Sequence, residues 1–120
     1  MRAKPLRRVD ASLPLTSVVF EILVTLANRD QHGYAILTDV QARTGQTLRP
    51  GSLYRALNRL LDDGLVEELD ERPDPSLDDE RRRYYRLTGH GRAVARAEAN
   101  RLAAQVQSAR AANLLDRSRS

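Results

Sequence analysis

Apolar residues recur at three- and four-residue spacings in three separate stretches of this chain, and each stretch ends on a polar or glycine stop. Leu15, Val18, Val19, Ile22, Leu23 and Leu26 form the first stretch, closed by Asn28, Arg29 and Asp30. Such spacing gathers the apolar groups on one side of an α-helix, where they demand cover from another element. Gly33 opens a second, shorter stretch in which Ile36, Leu37 and Val40 share a face, and Thr44 with Gly45 stops it. Pro50 opens the third, where its missing N–H is harmless because a first helical turn leaves that donor unpaired anyway. Leu53, Leu57, Leu60 and Leu61 are its inner stripe, and Gly64 closes it. Three short amphipathic helices in succession must bury their stripes against one another.

Beyond Gly64 the period changes. Leu65 to Leu69 reads as a short strand, and Arg81 to Leu87 as a second with Tyr85 and Leu87 on one face. Residues 70–80 hold two prolines and no periodicity, so they are expected to be the loop of a hairpin. Past Thr88, nine alanines between Ala93 and Ala112, with Leu102 and Val106, predict a long helix of high intrinsic propensity. The 120 residues therefore predict one small domain, mainly α with a β-hairpin. Its expected parts are a flexible basic arm (1–13), a winged helix-turn-helix (14–89), a long C-terminal dimerisation helix (90–115) and a disordered tail (116–120). The helix-turn-helix pair is 33–43 and 50–63, joined by Thr44 to Arg49.

Several chemistries are excluded early. The chain has no cysteine, which removes disulfide scaffolds, thiolate zinc sites and cysteine nucleophiles. No apolar run approaches the ~20 residues of a bilayer span, and the basic start lacks the apolar core of a signal peptide, so a cytoplasmic protein without membrane association is expected. His32 and His90 stand far apart with no cysteine beside them, so no metal and no cofactor is expected. Ser12, Ser17 and Ser52 lack a histidine in any nucleophile motif, and the acidic pairs at 62–63 and 78–79 lie by helix ends or loops; no catalytic residue is expected.

The net charge of +4 conceals a segregated chain. Residues 1–60 carry 9 basic and 4 acidic side chains (+5), residues 61–80 carry 1 and 10 (−9), and residues 81–120 carry 10 and 2 (+8). Nineteen of the twenty cations are arginine, whose fork suits phosphates and base edges. With the leucines of the third helix inward, a 100° step per residue turns Ser52, Arg55, Asn58 and Arg59 outward, with Tyr54 on the flank. Arginine can donate twice to guanine, asparagine can pair with adenine, and serine or tyrosine can bond phosphate. No acidic residue lies between Arg43 and Leu61 to oppose DNA. A solvated helix face would read alike in isolation; the helix-turn-helix context favours DNA. Arg81, Arg82 and Arg83, with Arg86, are a second cationic group at the base of the wing. The alternative for these is ion pairing with Asp78, Asp79, Glu80, Glu67 or Glu68. Six acids and Arg72 in residues 70–80 should repel phosphate from the wing tip.

Three motifs carry a family resemblance. His32-Gly33-Tyr34, then Pro50-Gly51-Ser52-Leu53-Tyr54-Arg55-Ala56-Leu57 with Leu60 and Gly64-Leu65-Val66, then Arg83-Tyr84-Tyr85-Arg86-Leu87-Thr88 with Gly91 resemble, in order and spacing, the PadR family of bacterial transcriptional regulators. The resemblance spans roughly residues 15–115. It implies a winged helix, a homodimer built largely through the C-terminal helix, and repression at a palindromic operator on double-stranded DNA. It makes Tyr34, Ser52, Tyr54, Arg55 and Arg59 family-like DNA contacts and Arg83 and Arg86 family-like wing contacts, with Gly33 and Gly51 serving backbone geometry; Arg49, Asn58 and Arg82, from the face and charge readings, complete the expected DNA-binding set. The long acidic loop departs from the shorter, glycine-richer family loop. On the last helix Ala95, Ala99, Leu102, Val106 and Ala109 alternate spacings of four and three, a seam narrow enough for a second copy. A small-molecule effector pocket is expected between the first and last helices near Phe20, although without tryptophan an aromatic stacking pocket is not evident. The rival expectation is a winged-helix module that docks a protein through its acidic wing.

Overall fold

The computed structural model describes residues 6–69 and 83–116. Helix α1 (Ser17–Asn28) begins at Thr16, whose side-chain oxygen accepts a hydrogen bond from the Val19 N–H and so satisfies one donor that a helix start leaves open. Its apolar stripe is spent as the spacing predicts, with Ile22, Leu23 and Leu26 buried. Helix α2 (Gly33–Thr44) is capped by His32, whose Nδ1 accepts from the Ala35 N–H at 3.0 Å. The chain leaves α2 at Gly45 with φ 72°. In the turn that follows, Leu48 is buried and its N–H donates to Gln41 Oε1 at 2.8 Å, which closes the approach to α3 (Pro50–Asp62). Arg43 ties α2 back to α1, donating to Glu21 Oε1 at 2.9 Å, to the Glu21 carbonyl at 2.8 Å and to Thr25 Oγ1 at 2.9 Å.

The hairpin is one strand larger than the sequence pattern predicts. Among the described residues the sheet has three antiparallel strands, β1 (Gln31–His32), β2 (Val66–Leu69) and β3 (Tyr84–Leu87), in the order β1-β3-β2. Two residues are too few to show a period of two, and β1 exists because the open edge of β3 needs a partner: Gln31 pairs with Tyr85 and His32 with Tyr84. Among the described residues β3 starts at Tyr84, one residue after Arg83; Arg81, Arg82, the expected loop 70–80 and residues 117–120 lie outside the described residues. The register opposes Val66 to Leu87, both buried, Glu68 to Tyr85, of which only the tyrosine is buried, and Glu67 to Arg86, both exposed.

Helix α4 (Gly89–Ala111) starts at Thr88, whose Oγ1 accepts from the Gly91 N–H at 2.9 Å and donates to the Gly64 carbonyl at 2.6 Å. A Cβ on Gly91 would stand 1.9 Å from the Leu65 carbonyl oxygen, so only glycine lets α4 lie this close to the start of the wing. Val94, Ala95 and Glu98 are buried, whereas residues 103–108 are all exposed: the far half of α4 projects from the domain. At the other end, the expected free arm is docked over its later part. Val9 and Leu13 pack on the core on either side of a 3-10 turn, Asp10–Ser12, because these two apolar groups anchor an otherwise polar segment.

One buried charge joins the two ends of the chain. Glu98 is 1% exposed; its Oε2 accepts from the Leu15 N–H at 2.8 Å and from Arg101 at 3.1 Å, and its Oε1 accepts from Arg101 Nε. The Arg101 guanidinium holds this carboxyl below the usual glutamate range; burial opposes the shift and the Leu15 N–H assists it. Nothing in the alanine-rich pattern of α4 marks this residue as buried. Because the folded carboxyl titrates below its unfolded counterpart, its contribution to stability is complete at neutral pH and is lost as acid protonates the folded form. Glu98→Ala should therefore lower the urea midpoint at pH 7 more than Glu98→Gln, which keeps an acceptor for Leu15, and the gap between wild type and Glu98→Gln should narrow as the pH falls below the glutamate range.

Candidate nucleic-acid interface

The candidate interface is set by burial of the α3 leucines. With Leu53, Leu57 and Leu60 inside, Arg55, Asn58 and Arg59 are exposed on the outer side and Ser52 is half-buried. Arg55 donates to Ser52 Oγ at 3.3 Å, which steadies the guanidinium along the helix. Arg49 stands exposed at the N-cap position, and no side chain caps the helix there. Cationic side chains at an uncapped helix start suit an anion, since the free N–H groups and the helix dipole point the same way. The structure thus brings Arg49, Ser52, Arg55, Asn58 and Arg59 together on one helix, and sets Tyr34, 51% exposed, at the start of α2.

Tyr54 is the exception on this helix. Its hydroxyl oxygen is buried, and a Cβ on Gly33 would stand 2.7 Å from that oxygen and 2.9 Å from Cε1 of the ring. The tyrosine therefore fills the seam between α2 and α3, where it cannot bond phosphate, and Gly33 is small because the ring lies on it. Gly51 meets nothing closer than Arg55 at 3.7 Å, so the fold leaves room for a side chain there.

The wing arginines are already engaged. Arg86 donates from Nε to Glu67 Oε1 at 2.7 Å, with a second nitrogen at 2.6 Å from the same oxygen, and Arg83 Nε lies 3.5 Å from Glu68 Oε1. The ion-pair alternative is thus the arrangement present. Arg83 precedes β3, whereas Arg86 lies within it, exposed and opposite Glu67. Arg82 lies outside the described residues. The wing is fastened to α2, for the Gly33 N–H donates to the Arg83 carbonyl at 3.1 Å and the His32 and Tyr84 rings meet edge-on at 5.6 Å. Sequence reasoning missed that link, since it runs through β1.

Between α1 and α4 runs an open groove of about 290 Å³, in which half-buried Phe20 sits with Val24, Leu87 and Ala99, flanked by Arg92 and Arg96. Ala95 departs from the expected seam. It is buried in the domain's own core because α4 crosses α1 there, leaving Ala99, Leu102, Val106 and Ala109 as the accessible part.

The Transcriptional regulator PadR-like family matches residues 22–97, more than half of the chain. The chain belongs to this PadR-like family. The match runs from the core of α1 through the helix-turn-helix and the sheet into α4, so it covers the candidate interface whole. The family is one of DNA-binding transcriptional regulators and not of enzymes. RosR of H. salinarum has a similar structure, with 27% identity and a TM-score of 0.62 over 81% of this chain and 79% of that one. A PadR family transcription regulator from Clostridium difficile shares the fold, with 23% identity and a TM-score of 0.68 over 79% of this chain and 96% of that one. An uncharacterized 37.1 kDa protein in transposon TN4556 of Streptomyces fradiae is 39% identical over 82 residues, which are 68% of this chain and 22% of that protein. The PadR-like chain thus matches about a fifth of that relative's length. No helix among its described residues is long and apolar enough to cross a membrane. If Gly33 is small because Tyr54 rests on it, Gly33→Ala should overpack the α2–α3 seam and cost about 1–3 kcal/mol in urea denaturation.

Proposed function

We propose that this PadR-like chain is a homodimeric repressor that acts in the cytoplasm by holding an inverted-repeat operator on double-stranded DNA. The observation that carries the reading is the outer face of α3, where Arg55, Asn58 and Arg59 are exposed on a helix with no acidic residue before its last turn. Arginine and asparagine are the side chains that bond two base-edge atoms at once, and α3 is the second helix of a helix-turn-helix, the one that enters the major groove. Arg49, Ser52 and Tyr34 stand where they would bond phosphates and fix the register.

The far half of α4 supports the dimer. Thirteen residues beyond Glu98 continue the helix to Ala111 with little support from the domain, and an isolated helix of that length is marginal in water. Ala99, Leu102, Val106 and Ala109 form a narrow stripe on it, and the exposed Leu114 and Leu115 extend the apolar surface past its end. A second copy laid on that stripe covers it and sets two α3 helices about 34 Å apart, one turn of DNA. The Phe20 groove borders the same helix, so an apolar effector lodged there changes the spacing of the two halves and the affinity with it. The rival reading, a protein docked on the acidic wing, turns on residues 70–80, which lie outside the described residues.

Selection from a random duplex pool should enrich an inverted repeat. Against that sequence Arg59→Ala should lose about 1–3 kcal/mol of discrimination at one base position in each half; equal losses on selected and random duplexes would remove Arg59 from base reading. Leu102→Asp should elute as a monomer with light scattering, and a dimer that persists would rule out the α4 seam.

A further inference from the structure

We infer that Glu67 is a built-in competitor for phosphate at Arg86, which keeps the wing from holding DNA that is not seated on α3. The inference rests on the DNA-binding reading above and deepens it. Glu67 and Arg86 are directly opposite in the β2–β3 register, on the sheet face turned away from the core, so the pairing is imposed by the backbone. Both nitrogen contacts, at 2.7 and 2.6 Å, fall on the one oxygen Oε1. The two side chains are 50% and 49% exposed, and a pair so open to water is weak enough for another anion to replace.

That geometry alters what Arg86 offers to DNA. An unpaired arginine that meets a phosphate releases a condensed counterion, which is the main source of sequence-independent affinity. Arg86 arrives already neutralised, and a phosphate that takes it must displace a carboxylate and then sit beside it. The exchange yields little in a loose encounter. It becomes favourable when α3 is seated in the groove and holds a phosphate against the wing, because the positioning has then been supplied by other contacts. Arg49, on a stretch free of acidic residues, provides the general attraction. Arg86 adds to the complex in one register, so Glu67 sharpens specificity while contacting no base.

A double-mutant cycle tests the inference. Wild type, Glu67→Gln, Arg86→Ala and the double variant are titrated by fluorescence anisotropy, across a salt series, with a random-sequence duplex and with a duplex enriched by wild type from a random pool. Glu67→Gln should bind the random duplex about three- to tenfold more tightly at low salt, and should steepen the slope of log K against log salt by about one. Its affinity for the enriched duplex should rise less, so the ratio of the two affinities narrows. Arg86→Ala should abolish the effect of Glu67→Gln. If wild type binds but Glu67→Gln leaves the random-duplex affinity and the slope unchanged, or if its gain survives Arg86→Ala, the competitor role is overturned. If wild type binds neither duplex, the DNA-binding reading itself fails.

Discussion

Tyr85 and Leu87 leave β3 on the same face and are buried with the α1 stripe, while both edges of that strand are bonded, to β1 on one side and to β2 on the other. A four-residue strand paired along its whole length to β2, and over Tyr84 and Tyr85 to β1, with Tyr85 and Leu87 buried, fixes what touches it. Through β1 it sets His32 and Gly33, and hence the start of α2. Through β2 it sets the wing and, by way of Leu65 and Gly91, the line of α4. The helices of the DNA-binding unit and the projecting helix are oriented with respect to each other through the sheet and α1: α1 packs on β3, α2 on β1, α3 on β2 and α4 on α1.

Two polar devices complete that arrangement where apolar packing is not directional enough. Arg43 bridges α2 to α1 through Glu21 and Thr25, and Glu98 bridges α4 to the N–H of Leu15 with Arg101 as its counter-charge. A leucine stripe tolerates sliding, whereas a hydrogen bond of 2.8 Å does not. Of the described buried polar groups, Thr25 helps to tie α2 to α1 and Glu98 ties α4 to the segment before α1. In the proposed dimer the angles between helices would set how far α4 carries one α3 from the other.

Much of the candidate interface was legible in the residues alone, because an amphipathic helix reports both its faces: once Leu53, Leu57 and Leu60 are inward, Arg55, Asn58 and Arg59 have nowhere to point but out. Tyr54 was not legible in this way. It stands on the flank of α3, and whether a flanking tyrosine reaches solvent depends on what lies beside it, here the bare Cα of Gly33. The wing arginines were ambiguous for a related reason, since charge composition gives the number of partners available but not the register that joins Glu67 to Arg86.

The chain by itself determined three helices with their stops, the strands of a wing, a long alanine-rich last helix and the sorting of positive charge onto α3, all consequences of short-range periodicity and local stops. Tertiary structure alone decided the two-residue strand β1, the docking of Val9 and Leu13, the burial of Ala95 and Glu98, and the choice between a free and a paired wing arginine. Each of these depends on a contact between segments distant along the chain. No local pattern encodes such a contact, because its energy exists only once the other segments have been packed around β3.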